Sequence, residues 1–396
     1  MLRLSLVGLV GALLLGCAHN PEPSWRRQPG STELRAFYYF DNSGLSVATI
    51  AAQADQPISK HLLLSARTTA DSVTLERKPL LVSSEGLAGQ PTGHPQHDPD
   101  VVTSASATVA GGSIAQKWRV EGQLALSGSF EARGLPLALR AQLRISQEPD
   151  YKSYYGLVRG AIELAARNTT LGWFLGAGQD LVEPVQAPPG QEELWPAQHR
   201  RVNGGLTLVQ LLSPRLVFTA GLAGTVQRGV LSNPYRRALV RTTLFPERVP
   251  GARDRLVGSA QLSVYLSQGA ALHVRLGAYA DSWQVLGIIP EFLVAKELAQ
   301  RGLLTFRYRF YKQGQASFYL PRYPDLTPLM SGDERLGPIK ENALGTELRW
   351  RVLGAAGGFG ALTLTGSYDV SFLDYELLNT ATIRGQVVSL SLTGSY

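Results

Sequence analysis

The sequence predicts an all-β, transmembrane, antiparallel up-and-down β-barrel of about 16 strands, with 14 as the alternative count. Three observations lead there. Apolar and polar residues alternate with period two along most of the chain. The alternating segments are long enough to cross a bilayer. The connections between them divide into short and long sets on opposite parities.

The N-terminus reads MLRLSLVGLVGALLLGCAHN. Arg3 followed by apolar residues 4–15 is an export signal. Beyond it no apolar run reaches the ~18 residues of a transmembrane helix. Two cleavage readings stand. Leu14-Leu15-Gly16-Cys17 resembles a lipobox, which would make Cys17 a lipidated first residue. Alternatively, Gly16 and Ala18 supply the small residues of an ordinary cleavage site, and Cys17 is lost. The expected organisation is a signal over 1–17, a periplasmic segment over 18–33 and a barrel over 34–396. Cys17 is the only cysteine, so the mature chain has no disulfide and no thiolate chemistry.

The strands follow from the pattern. In RLVGSAQLSVYLS, Leu256, Leu262, Val264 and Leu266 share one face, and Arg255, Ser259, Gln261 and Ser263 the other. In LLTFRYRFYKQ, Leu304, Phe306, Tyr308 and Phe310 oppose Arg307, Arg309 and Tyr311. The same alternation places strands near 34–41, 45–53, 58–70, 113–128, 134–147, 151–166, 168–180, 201–212, 215–228, 253–267, 270–284, 287–299, 302–316, 341–353, 359–373 and 381–396. Soluble-sheet strands have a mode of about 5–6 residues, whereas crossing a membrane takes roughly 9–11. The last strand, VVSLSLTGSY, alternates up to the terminal Tyr396, as does the strand read by the bacterial outer-membrane assembly machinery. Connections such as SQG, SPR, NT and EARG are short and fall on one parity. The long ones, 71–112, 181–200, 229–252 and 317–340, fall on the other. Short periplasmic turns and long outer loops are the habit of outer-membrane barrels. An even strand count places both termini in the periplasm.

The net charge of +7 is spread without a basic block, so no nucleic-acid partner is expected. By phase, Lys117, Arg119, Arg140, Arg144, Arg159, Arg275, Arg307, Arg309, Arg349 and Arg351 point into the lumen, with Glu121, Glu163, Asp281 and Glu347. Cross-strand ion pairs account for the acids and leave an excess of arginine. In an open lumen that excess favours anions.

The longest loop holds HPQHDPD at 94–100. His94, His97 and Asp98 have the chemistry of a zinc-type site, although Pro95 and Pro99 break any helix that would present them. The plainer reading is a stiffened polar loop, with Asp100, Thr103 and Ser104 docking it by hydrogen bonds. No hydrolase, metalloprotease or phosphate-loop motif occurs, and no cofactor is expected. A membrane-embedded hydrolase could assemble Ser, His and a carboxamide from different strands, and His273 faces the lumen by phase, where a lone histidine is more often a hydrogen-bonding filler.

Several stretches resemble a family of bacterial proteins expected to be outer-membrane β-barrels and defined only as domain of unknown function 3570. They are Asp100-Val-Val-Thr-Ser-Ala-Ser106, Glu148-Pro-Asp-Tyr151, Asn233-Pro-Tyr-Arg236, Arg248-Val-Pro-Gly-Ala-Arg253, Tyr279-Ala-Asp-Ser-Trp283, RYRFYKQGQASFY from Arg307, and Ser331-Gly-Asp-Glu-Arg-Leu336. Where the family reads Asp-x-Trp-Gly, this chain has Gln284 after Trp283. The resemblance implies a barrel in the outer membrane, with a small lipoprotein as a candidate partner, and no particular activity.

The expected function is a pore or transport channel with a basic lumen and modest anion preference, narrowed by 71–112. The alternatives are a non-conducting surface or assembly barrel holding a lipoprotein, redox or protein partner, and a metal-dependent surface enzyme using His94, His97 and Asp98. No enzyme activity is favoured.

Overall fold

The computed structural model describes residues 30–76, 114–132, 134–184, 187, 190–267, 269–299, 301–354, 360–378 and 382–396. Its strands are β1 Ser31–Asp41, β2 Leu45–Pro57, β3 Leu62–Glu76, β4 Ile114–Ala132, β5 Leu135–Glu148, β6 Tyr151–Leu164, β7 Thr169–Val182, β8 Ala197–Ser213, β9 Leu216–Gly229, β10 Arg237–Val240, β11 Thr243–Pro246, β12 Ala252–Ser267, β13 Ala270–Asp281, β14 Leu286–Leu298, β15 Gly302–Gln313, β16 Ile339–Leu353, β17 Leu362–Tyr375 and β18 Ile383–Ser395. All except β10 and β11 form one closed, wholly antiparallel up-and-down barrel of 16 strands. The first strand closes the wall against the last, from Ser31↔Ser395 to Asp41↔Gly385. The 14-strand alternative is thereby set aside.

The wall is turned inside out relative to a soluble protein. Leu143 is 68% exposed and Leu206 67% on the outer face, while inward Asp71 and Asp180 are buried. Large apolar residues outside and charges inside put lipid outside and polar groups in the lumen. Strand lengths run from 11 residues in β1 to 19 in β4, enough to span the hydrocarbon. Among the described residues no helix is long and apolar enough to cross a membrane. Tight turns close one end. Gly134 and Gly269 take φ of 77° and 71° there, which a residue without Cβ adopts at little steric cost.

The four long connections, 77–113, 183–196, 230–251 and 314–338, all leave the other end, here the loop end. Both termini of the barrel lie at the opposite, terminal end. Several boundaries differ from expectation. The barrel starts at Ser31 rather than 34. The turn between β2 and β3 follows Pro57 rather than lying at 54–57. β3 continues to Glu76, making the long connection 77–113 rather than 71–112, because Asp71 still pairs with Arg119 across β4. β13 stops at Asp281, whose carboxylate accepts the backbone N–H groups of Trp283 and Val285 and turns the chain there. The small β10–β11 hairpin inside 230–251 was not expected.

Candidate functional site: the loop cap and the lumen wall

Two of the long connections fold on one another. Arg248 and Met330 exchange both backbone hydrogen bonds at 2.8 Å, and Tyr323 N–H donates to Leu239 O at 2.8 Å. Ala238, Val240, Tyr323 and Met330, with Phe245 against them, form a small core. The Tyr323 hydroxyl donates to Phe318 O at 3.0 Å and accepts from Ser331 N at 2.9 Å. Burial pushes this phenol's pKa up.

A charged clasp lies beside that core. Glu247 is 2% exposed. Its carboxylate accepts from Asn233 N at 2.7 Å and from the Ser331 hydroxyl. Arg236 reaches Glu247 at 3.6 Å and Asp333 at 3.0 Å, so it bridges both loops. Asp333 also accepts from Arg335 Nε at 2.7 Å and Nη2 at 2.9 Å. Burial raises the Glu247 pKa, with Arg236 opposing. Burial would also raise Asp333, but Arg236 and Arg335 outweigh it and hold that carboxyl well below the usual range.

The cap is tied to the barrel's inner face. Gln313 Nε2 donates to the carbonyls of Arg335 and Gly337 at 2.7 and 2.8 Å. Ser317 N–H donates to Trp283 O at 2.9 Å. The Trp283 ring meets Phe318 edge-on at 5.3 Å and carries Arg253 on its face at 4.1 Å. Ala316, Tyr319 and Leu336 pack with inward-facing Val257, Tyr279, Tyr311 and Leu373. The loop-end mouth is thus narrowed by 314–338 together with 230–251.

Below the cap the lumen is a lattice of ion pairs. Arg119 Nε donates to Asp71 at 2.6 Å, and Thr49 Oγ1 donates to the same carboxylate at 2.6 Å. Lys117 sits 2.6 Å from Glu148 and 3.2 Å from Asp150. Arg275 pairs with Glu291 at 3.2 Å, Arg309 with Glu341 at 3.6 Å, and Arg307 with Asp369. Arg253 donates to Asp281 from two nitrogens. His199 Nε2 lies 2.7 Å and Arg201 3.4 Å from buried Asp180. The inward cations are therefore more fully paired than the sequence suggested.

The pairing is incomplete on one wall. Arg140 faces Arg159 directly across β5 and β6. Arg140 donates only to the Ser127 hydroxyl, at 3.3 Å. Arg144 approaches Glu121 no closer than 3.9 Å and stacks on Tyr155 at 5.1 Å, with Arg201 over the same ring at 5.2 Å. The Nε atoms of Arg140, Arg144, Arg255 and Arg309 are buried without an acceptor. Among the described residues, Arg67, Arg140 and Arg255 have no carboxylate at ion-pair distance. The last two lumen arginines of the sequence reading stand at the terminal-end rim. Arg349 is exposed beside Glu347, 3.5 Å away, and Arg351 is exposed as well.

His273 Nδ1 lies 2.8 Å from Ser263 Oγ, and the described residues bring no carboxylate to the pair. They also contain no cluster of His, Cys, Asp or Glu able to hold a metal. His94, His97, Asp98, Asp100, Thr103, Ser104 and Cys17 lie outside the described residues. Sequence phase put Arg255 on the polar face but did not single it out, and Arg67 was overlooked. The signal for Arg67 was its place in the alternating run LLLSARTTAD. A hollow of about 880 Å³ lies on the lipid face over Ala52, Ala54, Ala66 and Gly122, away from this chemistry.

Among solved structures, the fold is similar to a bacterial polysaccharide outer membrane secretin. The identity is 8% and the TM-score 0.49, over 93% of this chain and 99% of that one. It is also similar to OccK2 (OpdF) of Pseudomonas aeruginosa in complex with glucuronate, at 12% identity and TM-score 0.43, covering 93% and 98%. A third is the siderophore receptor PirA of Pseudomonas aeruginosa, at 10% identity and TM-score 0.42, covering 91% and 61%. Likenesses this distant decide nothing about solute or partner. None of the curated proteins matches the chain in sequence. One family profile matches residues 14–395, a span that contains all seven stretches from Asp100 to Leu336, and the chain belongs to that family, described as "Protein of unknown function (DUF3570)".

Proposed function

We propose that the protein is an outer-membrane barrel that passes small solutes and prefers anions. The observation that carries this is the unequal pairing of the lumen. Many inward cations are held in ion pairs, while among the described residues Arg67, Arg140 and Arg255 face inward with no carboxylate at ion-pair distance. Uncompensated cations on a low-dielectric wall raise the local concentration of anions. Sixteen strands suffice for an aqueous channel. The apolar exterior supports a place in lipid, and short turns with both termini at one end support a periplasmic N-terminus. A lipid on Cys17 would add a second anchor there.

The test is single-channel recording of the refolded protein in a planar bilayer under a salt gradient. Anion-selective steps are expected. Arg307 and Arg309 are paired with Asp369 and Glu341, so charge reversal at Arg140 and Arg144 should shift the reversal potential more than reversal at those two. Silence from a barrel that is folded by heat modifiability, or cation selectivity, would overturn the reading. The packed cap favours a second reading, a closed barrel that presents a rigid loop surface to a protein partner. Silence together with a stoichiometric co-purifying partner would support it.

A further inference from the structure

The outer face of the barrel is shaped and charged at its loop end. One cross-strand row there runs in register through Gly258↔Ala278↔Ile288↔Lys312↔Lys340, from β12 to β16. The next row towards the loops runs Leu256↔Ala280↔Leu286. These residues alternate along their strands with buried, inward-facing Val257, Tyr279, Ile289 and Tyr311, so both rows face outward. The small side chains of Gly258, Ala278 and Ala280 lie between Leu256 on one side and Leu286 and Ile288 on the other. They leave a groove of about 740 Å³.

One end of this groove is charged. Lys312 lines it, and Lys340 is the direct cross-strand neighbour of Lys312. Lys312 is next to last in β15 and Lys340 is second in β16, so both stand at the loop-end rim. Both are exposed, and among the described residues neither has a carboxylate at ion-pair distance. Arg228, the outward cation at the loop end of β9, is instead held by Asp254 through two nitrogens. Asp374 lies opposite Lys340 but takes the Thr382 hydroxyl at 2.5 Å, towards β18. Glu376 is at the groove's loop-side end, and Arg384 on β18 adds a third outward cation. Like charges directly opposite one another are unfavourable, and an anion between them relieves this. Lysine stems lie along apolar surface while their ammonium groups reach the headgroup level.

We propose that this groove docks a phosphate-bearing anionic lipid of the leaflet at the loop end. Lys312 and Lys340 take the phosphate, and an acyl chain fills the trough over Gly258, Ala278 and Ala280. Charge complementarity selects this occupant. A second copy in a two-fold contact would bury both lysine pairs against the same apolar face, at the cost of desolvating them. The inference needs the barrel's exterior to stand in lipid and is independent of conduction through the lumen.

The test is native mass spectrometry of the folded full-length barrel from detergent micelles doped equally with dioleoyl phosphatidic acid and dioleoyl phosphatidylcholine. Two lysines at about 5-fold each should favour phosphatidic acid by about 25-fold. Lys312→Gln should lower that preference about 5-fold, and Lys312→Gln with Lys340→Gln should bring it to within about 3-fold of unity. Ala278→Leu fills the trough and should lower retention of phosphatidic acid at least ~3-fold. Ala66→Leu, in the hollow near the terminal end, should leave it unchanged. Excess glycerol 3-phosphate, which has the phosphate and no chains, should displace nothing. Heat modifiability checks folding, and if the double variant does not fold, Lys312→Gln and Ala278→Leu carry the test. Equal retention of the two lipids, or a preference that survives loss of the lysines, would overturn the proposal. Displacement by glycerol 3-phosphate would also overturn it, by showing a site for free phosphate. A silent planar bilayer with intact lipid preference would remove the pore and leave the groove. Anion-selective current with equal lipid retention would do the reverse.

Discussion

Replacing Asp333 by Asn should open the cap without unfolding the barrel. The carboxylate takes Arg335 Nε at 2.7 Å, Arg335 Nη2 at 2.9 Å and Arg335 N at 3.1 Å, and stands 3.0 Å from Arg236. Its side chain is 13% exposed. Removing one member of a buried charge pair costs about 3–5 kcal/mol. Asn retains one oxygen for the Arg335 backbone, and the site is not fully dry, so about 2–3 kcal/mol is the reasonable loss. That raises the population of the open cap about 30- to 160-fold. Hydrogen exchange reads it directly at the amides of Arg248, Met330 and Tyr323, which join the two loops. The pH dependence has a definite sign. The Asp333 pKa is lowered in the folded cap, so its stabilisation is present above the ordinary value of 3.8 and is lost as pH falls through the lower folded value. The Glu247 pKa is raised, so its contribution is full below its ordinary 4.5 and is lost as pH rises through the higher folded value. The Asn variant should lack the acid-side loss. Protection changed by less than ~3-fold, or a simultaneous loss of barrel protection, would refute the picture of a cap clasped by this carboxylate.

Two other substitutions separate strain from charge. Gln284 takes φ of 71° in the turn after Trp283, where a left-handed backbone costs an ordinary residue roughly 1–2 kcal/mol. Gln284→Gly should stabilise that hairpin by about 0.5–1 kcal/mol, allowing for the entropy of Gly. Slower exchange at the Asp281 amide would show it, and unchanged or faster exchange would count against strain. Arg119→Ala leaves buried Asp71 with only Thr49 as a partner among the described residues and should cost about 3–5 kcal/mol in urea unfolding. Asp71→Thr with Arg119→Met should recover most of that. A single variant as stable as the parent would mean that water reaches Asp71.

The strands were legible because a wall between lipid and a polar lumen forces period two onto every segment. Even β1, the shortest alternating run of the reading, could be found this way. What period two does not contain is register. It assigns Arg119 and Arg307 to the lumen but not their partners, Asp71 at a separation of 48 residues and Asp369 at 62. Compensation is a property of neighbouring strands, so sequence phase overstated the free positive charge. β10 and β11 were missed for a related reason. Four-residue strands carry too little alternation to be read, and these are held by packing against 314–338 rather than by their own pattern. The end of β13 depends on one side chain, Asp281, capturing two backbone N–H groups.

The two features lie on different sectors of the lumen, and this bears on how they could work together. The cap packs against inward residues of β12 through β18, from Val257 to Ile383. The basic wall is on β3 to β6, which contributes no residue to that cluster. The resemblance stretches divide in the same way. Asn233–Arg236, Arg248–Arg253, Tyr279–Trp283 and Ser331–Leu336 converge on the cap and its seat, and none supplies an arginine of the basic wall. Arg255 is the exception in position. It stands on β12 between cap-bound Arg253 and Val257, with a buried Nε and no acceptor among the described residues, at the edge of the cap's seat.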